Sequence, residues 1–310
     1  MSTGTWAVVV NWNGGEDNLH CLRSLVAQGL DEECLVVVDN GSHDGSPESI
    51  EAEFPGVVLL RNASNQGFAL GCNRGIQHAL DAGADAVFLV NNDVTLPAPD
   101  TLSTLERAFD EDPGVGIVGP RVLYAGDPTL VWCAGGQLTF RQNLSRMIGH
   151  REKDNLTFQV TRDVDYVPGC SMLVRRAVFE QVGLFHGDYF AYHEDLELCV
   201  RAAESGFRVR IVGGVAAHHD AHASTGGGYN ARRKYMMGVN TVWFLRRHGT
   251  PWRWCSFWIF DVATLPLVWI FRSLRGEGAA VLAKARGTLD GLRGKRVTAE
   301  LLESWRASSS

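Results

Sequence analysis

Glu194 and Asp195 stand side by side where the run YFAYHEDLELCVRAAESGFRV, residues 189–209, turns helical in pattern. A carboxylate held in place is sufficient for a general base. The same pair at a helix start would also complement the helix dipole, so position alone leaves both roles open. A third acid, Asp93, closes the apolar run FLVNNDV. A carboxylate delivered there suits Mg2+ or Mn2+, hard ions that take oxygen ligands and keep positions for a diphosphate. A capping aspartate would look the same. Further on, His218, His219 and His222 cluster with Asp220 in VAAHHDAHAST. Three histidines in five residues, after a strand-like run at Arg208–Val212, read as metal or phosphate ligands. The spacing is not HExxH, which disfavours zinc hydrolysis.

Two loops carry the remaining candidates. In VVVDNGSHDGS, residues 36–46, a strand ends in Asp39 and a Gly/Ser-rich turn opens a helix. Asp39 can accept hydrogen bonds from a base or ribose, or cap the turn. In NASNQGFALGCNRGI, residues 62–76, Gly67, Gly71 and Gly75 fall four apart. This is neither a GxGxxG fingerprint nor a P-loop, and the spacing by itself favours close helix packing.

The elements that must hold these residues repeat one rhythm. Short β-branched runs at Trp6–Val10, Leu35–Val38, Val57–Leu60, Ala86–Val90 and Val115–Val118 alternate with helical stretches at Asp17–Gln28, Ser46–Glu53, Phe68–Asp81 and Pro99–Glu111. That alternation predicts βαβ units and a mainly parallel sheet, its strands apolar on both faces. Each run breaks into polar residues at its carboxyl end, where open α/β sheets bind ligands. Residues 121–192 read as short strands and loops, with a helix over Arg175–Val182. Another helix runs from Glu194–Asp195 through Leu196, Cys199, Val200 and Ala203 to Gly206. The chain looks helical from Tyr229 onward.

A chain of 310 residues, 45% hydrophobic and 21% charged, can bury a large core. Its net charge of −6 excludes a generally basic nucleic-acid binder. The charge is unevenly spread. Residues 1–231 carry 15 Lys and Arg against 30 Asp and Glu, whereas residues 232–310 carry 14 against 5, a net of +9. An acidic body with a basic tail region points to a part that meets something anionic, such as a membrane surface. Seven cysteines, no two closer than 13 residues, exclude CxxC zinc or redox sites, argue against a disulfide framework and suggest a reducing compartment. The start lacks a basic n-region and a long apolar run, so the expected location is the cytoplasm.

Taken together and in order, VVVNWNGGEDNLHCLRSL, VVVDNGSHDGS, NQGFALGCNRGI, LVNNDV, VPGCSMLVRR, HEDLELCVRAAESGFRV and AAHHDAHAST resemble glycosyltransferase family 2, and within it the bacterial rhamnosyltransferase-like branch. The resemblance covers about residues 6–226 and implies a GT-A fold, an α/β architecture with a mainly parallel central sheet and flanking helices. It implies a GT-A domain over 1–228, with a nucleotide-binding half to about 120 and an acceptor half over 121–228. A helical, aromatic and basic extension follows over 229–310. It implies inverting transfer from a nucleotide-diphospho-sugar, dTDP- or UDP-linked with rhamnose favoured, to a glycan or lipid-linked acceptor in surface polysaccharide synthesis. By the same resemblance Asp195 is the base, with Glu194 beside it. Asp39 reads the pyrimidine, while Asn11, Asn65, Gly67, Phe68 and Asn73 lie on the nucleotide loops. Asn92–Asp93 takes the DxD place, and Asp93 with His218 holds Mg2+ or Mn2+. Gly169 and Cys170 shape the acceptor side. The DxD place reads NND, so metal binding leans more heavily on His218.

Other classes fit less well. A sugar nucleotidyltransferase needs a basic, Gly-rich first loop, and Asn11–Asn18 holds no basic residue. A catalytically degenerate sugar-nucleotide-binding scaffold would not need Asp39, Asp93, Asp195 and His218 together. The extension contains WRWCSFWIFDVATLPLVWIF, residues 252–271, flanked by Arg246, Arg247, Arg253, Arg272 and Arg275. Asp261 and Pro266 interrupt it, which argues against a clean membrane span. Trp and Arg together predict a segment lying in the interface, on the cytoplasmic face of an anionic membrane. Folding back onto the body, or pairing two subunits in an oligomer, is the alternative.

Overall fold

The computed structural model describes residues 4–141, 144–220 and 230–302; His222 lies outside the described residues. The first half follows the predicted rhythm closely. Strands β1 (Thr5–Asn11), β2 (Leu35–Asp39), β3 (Val58–Arg61) and β4 (Ala86–Asn91) alternate with helices α1 (Asp17–Val26), α2 (Ser46–Glu53) and α3 (Phe68–Asp81). The order β3-β2-β1-β4 is parallel throughout. β1, β2 and β4 are buried almost end to end, as expected of strands covered on both faces.

The second half is mixed. The short β5 (Val94–Thr95), α4 (Thr101–Glu111), β6 (Val115–Tyr124), β7 (Asp127–Cys133), the hairpin β8 (Gly136–Leu138) and β9 (Ser145–Met147), and β10 (Arg162–Asp163) come next. They are followed by β11 (Ser171–Arg175), α5 (Arg176–Val182), α6 (Glu194–Glu204) and β12 (Arg208–His219). β11 inserts antiparallel between β4 and β6, and β12 runs parallel to β6 and antiparallel to β5. The sheet order is β10-β12-β6-β11-β4-β1-β2-β3.

The remaining helices are α7 (Ala231–His248), α8 (Pro251–Phe257), a π-helical turn at Trp258–Val262, α9 (Leu265–Ser273) and α10 (Gly278–Leu292). Val242, Phe244, Leu245 and Phe257 share one buried cluster with Val8, Val38, Leu89 and Leu198. A shared core therefore holds the extension against the sheet.

The glycines of α3 show why that helix sits so close. A Cβ on Gly75 would stand 2.4 Å from Val8 Cγ1, and one on Gly71 would stand 3.1 Å from Val10 Cγ1. Their spacing serves packing onto β1.

Candidate active site

A cleft of about 670 Å3 opens where the carboxyl ends of β1 and β4 meet the starts of α3, α6 and α7. Asn65, Gly67, Phe68, Asn92, Asp93, Gly169, Cys170, Glu194 and Asp195 all line it. Sequence separations of more than a hundred residues collapse here because each residue sits at an element end on one edge of the sheet.

Asp195 is held by its surroundings. Its Oδ2 accepts a hydrogen bond from the Gly169 amide at 2.9 Å, and its Oδ1 accepts from the Leu196 amide at 2.7 Å. A Cβ at Gly169 would come within 3.1 Å of Asp195 Cβ, so glycine lets the VPGC loop approach the acid. Burial raises the Asp195 carboxyl, while the two amides work the other way. Burial and the neighbouring Asp195 charge push Glu194 well above the usual range, and its Oε2 has no hydrogen-bond partner. Of the two acids, Asp195 is the one equipped to carry charge and receive a proton.

The backbone before this pair is strained. Tyr192 and His193 both adopt left-handed conformations, φ 74° and 75°, unusual for side chains of their size. The Asn240 side chain, buried on α7, donates to the Ala191 and Tyr192 carbonyls at 2.8 and 2.7 Å and clamps the turn. His193 is kept neutral. Burial and the cations Lys284, Lys234 and Arg233 lower it to about 3.

Glu194 carries a pH signature. Its folded carboxyl keeps a proton that the unfolded chain releases near the ordinary value. Stability from this site is complete below that value and declines as pH rises toward the raised one. Glu194→Gln should therefore gain in melting temperature over the wild type as pH rises from the ordinary carboxylate range to neutrality and above. A difference constant across that range would contradict the buried, protonated state.

At the other side of the cleft, His219 Nε2 lies 3.2 Å from Asp93 Oδ1. His218, the expected partner of Asp93, is not among the residues lining the cleft. Alternation along β12 sends adjacent side chains to opposite faces, and His219 takes the cleft face. The Trp132 ring edge backs His219 at 4.6 Å. Burial and the charges of Asp93 and Asp220 raise Asp17 nearby, so acids concentrate at this end. A carboxylate with an imidazole suits Mn2+ or Mg2+. Among the described residues no three donor side chains come together to hold an ion unaided.

Three further residues expected on the nucleotide loops make hydrogen bonds within the protein. Asn11 donates to Asp39 Oδ1 at 2.9 Å and to Ser46 Oγ at 2.8 Å. Asp39 Oδ2 accepts from the Gly41 and Ser42 amides, both at 3.2 Å, so the carboxylate fastens its own turn. Neither residue lines the cleft. Asn73 is also outside it. Its amide group exchanges two hydrogen bonds with the Phe185 backbone, at 2.8 and 2.9 Å, and ties α3 to the loop that precedes α6. Gly67 is required where it stands, because φ is 87° and a Cβ would lie 2.5 Å from the Phe190 carbonyl oxygen.

Sequence reading missed Arg232 and Arg233 at the start of α7. They enter the cleft with their guanidinium groups over the Trp12 and Tyr192 rings at 5.5 and 5.3 Å. Only their place after the histidine run could have suggested them. His219 was within reach, since strand alternation distinguishes it from His218.

Comparisons with known proteins agree with the fold. The family described as "Glycosyltransferase like family 2" matches residues 3–237. An N-acetylglucosaminyl-diphospho-decaprenol L-rhamnosyltransferase of Mycobacterium tuberculosis is 30% identical over 258 residues, 76% of this chain and 82% of that protein. The dTDP-rhamnosyl transferase RfbF of Shigella flexneri is 26% identical over 221 residues, 71% of this chain and 70% of its own length. Among solved structures, a mannosyltransferase from Pyrobaculum calidifontis, in complex with GDP-Man and Mn2+, superposes with a TM-score of 0.59. It is 16% identical and covers 94% of this chain and 88% of its own. That likeness supports the GT-A fold.

Proposed function

The chain belongs to the glycosyltransferase-like family 2, and from that premise we propose that it transfers rhamnose from dTDP-rhamnose to a hydroxyl of a lipid-linked glycan acceptor, with inversion. A UDP-sugar is the second donor to test. The observation that carries the reading is Asp195, fixed by two backbone amides in the same cleft as Asp93 and His219. The names of the two rhamnosyltransferases support the sugar, and the decaprenol in one of them supports the lipid-linked acceptor. On this reading residues 1–228 are the GT-A domain, nucleotide-binding to about 120 and acceptor-binding after it, and 229–310 are its extension. The donor side is cytoplasmic.

Asp195 takes the proton of the acceptor hydroxyl as its oxygen attacks the anomeric carbon. The bond from that carbon to the diphosphate breaks on the opposite face, and a single displacement inverts the centre. Arg232 and Arg233 place positive charge where the leaving group gathers negative charge. Asp93 and His219 would hold Mg2+ or Mn2+, which offsets charge on the diphosphate. Gly169 and Cys170 line the acceptor side.

Incubating the chain with dTDP-rhamnose and a polyprenyl-diphospho-N-acetylglucosamine should release dTDP and lengthen the lipid-linked glycan by one sugar. Absence of both products with dTDP- and UDP-sugars alike would overturn the reading. Asp93→Ala should abolish the Mn2+-dependent part of dTDP binding in calorimetry, and His219→Ala should weaken it. Equal affinity of wild type and Asp93→Ala at saturating Mn2+ would remove Asp93 from the metal site.

A further inference from the structure

The helical segment after α7 is built inside out for a protein in water. The most apolar stretch of Pro251–Ser273 has a mean hydropathy of 1.6, yet only 17% of it is buried. Its protein-facing stripe includes Phe257 in the main core and Asp261, which is 3% exposed. Asp261 pairs with the buried ammonium of Lys284 on α10, and the Ser256 hydroxyl donates to the Phe140 carbonyl. Its outward stripe is Trp258, Phe260, Leu267, Trp269, Phe271 and Leu274, exposed between 41% and 82%. Polar groups thus turn in and large apolar ones turn out, the reverse of an ordinary surface helix.

We propose that this outer face is a membrane-docking surface, with Trp252–Leu274 lying in the plane of an anionic bilayer. The proposal deepens the lipid-linked acceptor reading but stands on this surface alone. Three observations select that occupant. The patch is rimmed by cations. Arg141 lies over the Phe260 ring at 5.5 Å, Arg275 is exposed just beyond the stripe, and Arg253 and Arg272 lie at its two ends, the first over the Phe140 ring and the second paired with Glu277. The region 232–310 carries +9, so two copies meeting through it would repel, whereas anionic headgroups would attract it. A transmembrane course would withdraw Phe257 from the core and separate Asp261 from Lys284, leaving two charges without their partners. An in-plane helix keeps both contacts and still buries the aromatic stripe at the boundary between headgroups and acyl chains. The π-helical turn at Trp258–Val262 carries Asp261 itself, which aims that acid at α10 while its neighbours Trp258, Ile259 and Phe260 stay outside.

The test is flotation of the full chain, without donor or acceptor, on phosphatidylcholine vesicles with and without phosphatidylglycerol. The wild type should float with the anionic vesicles, less so in high salt, and should be released by alkaline carbonate. Bromine-labelled acyl chains should quench its tryptophan emission. The exposed double variant Trp258→Ser/Phe271→Ser should lose about tenfold in partitioning for each side chain, while Leu156→Ser, an exposed leucine elsewhere, should not differ from wild type. Wild type left in the dense fraction, or a double variant that floats equally well, would overturn the proposal. Carbonate resistance would replace it with a spanning helix. A lipid-free dimer broken by the double variant, without flotation of the wild type, would assign the face to a second copy. Because no sugar is present, failure here leaves the transfer reading to its own assay.

Discussion

Asp195→Asn should lower glycosyl transfer by about 10²–10⁴-fold and leave dTDP affinity near that of the wild type. The amide keeps the shape of the side chain, and its oxygen can still accept from the Gly169 or Leu196 amide. What it loses is the capacity to take a proton. The loss should therefore fall on kcat, with little change in nucleotide binding. Because burial raises the Asp195 carboxyl, the wild-type rate should fall on acidification at a pH above the ordinary aspartate range. Steady-state kinetics across pH, with calorimetry of dTDP on both proteins, would check this. Near wild-type turnover by Asp195→Asn would transfer the role to Glu194, which lines the same cleft.

The second large effect is on stability. Glu197, on α6 two residues beyond Asp195, is fully buried. It faces Arg201 at 2.9 Å, His248 of α7 at 3.0 Å and His186 at 3.4 Å. Burial opposes its charge, but the His248 hydrogen bond and the Arg201 and His186 charges outweigh it and hold the carboxyl below its usual value. Glu197→Ala leaves the largely buried Arg201 guanidinium without its counter-charge and removes the acceptor facing His248, and should cost about 3 kcal/mol. The sign with pH follows from the lowered value. The stabilisation is present above the unfolded carboxyl value and is lost as pH falls through the folded one. The gap between wild type and variant should narrow on acidification. Denaturant melts at two pH values would measure it, and a gap below about 1 kcal/mol at neutral pH would show that the cluster is not a support.

How much of this was legible depended on range. The alternation of apolar runs and helices gave β1 to β4 nearly to the residue, because parallel strands covered on both faces must be apolar throughout. The insertion of β11 between β4 and β6 was not legible. Strand order is set by contacts over some eighty residues, and a short buried strand looks alike wherever it pairs. Asp93 after an apolar strand and Glu194–Asp195 at a helix start were legible as element ends, and the structure brings all three to one cleft. The supports were not. Asn11, Asp39 and Asn73 share a composition with binding loops, and only coordinates show that Asn11 and Asp39 brace one turn while Asn73 ties α3 to the loop before α6. Gly169 was assigned to the acceptor side, and its amide contact with Asp195 needed coordinates. In the tail, Asp261 was read as an interruption. The structure gives it a partner, Lys284 on α10, 23 residues further along the chain.

The place of β11 also sets the order in which the molecule can be finished on the ribosome. β4 is an apolar strand whose far edge pairs with β11, Ala86 against Arg175 and Val90 against Ser171. When β1 to β4 have emerged, that edge has no neighbour in the emerged chain. At about 5–20 residues per second, roughly 4–17 s pass before β11 arrives. For that interval the nascent protein presents an open, flat and hydrophobic strand, the kind of edge that recruits foreign strands. The protein's vulnerable moment thus comes in the middle of translation, and the strand that closes it also carries the loop whose glycine amide fixes Asp195. Completing the sheet thus also sets in place the loop against which Asp195 later docks.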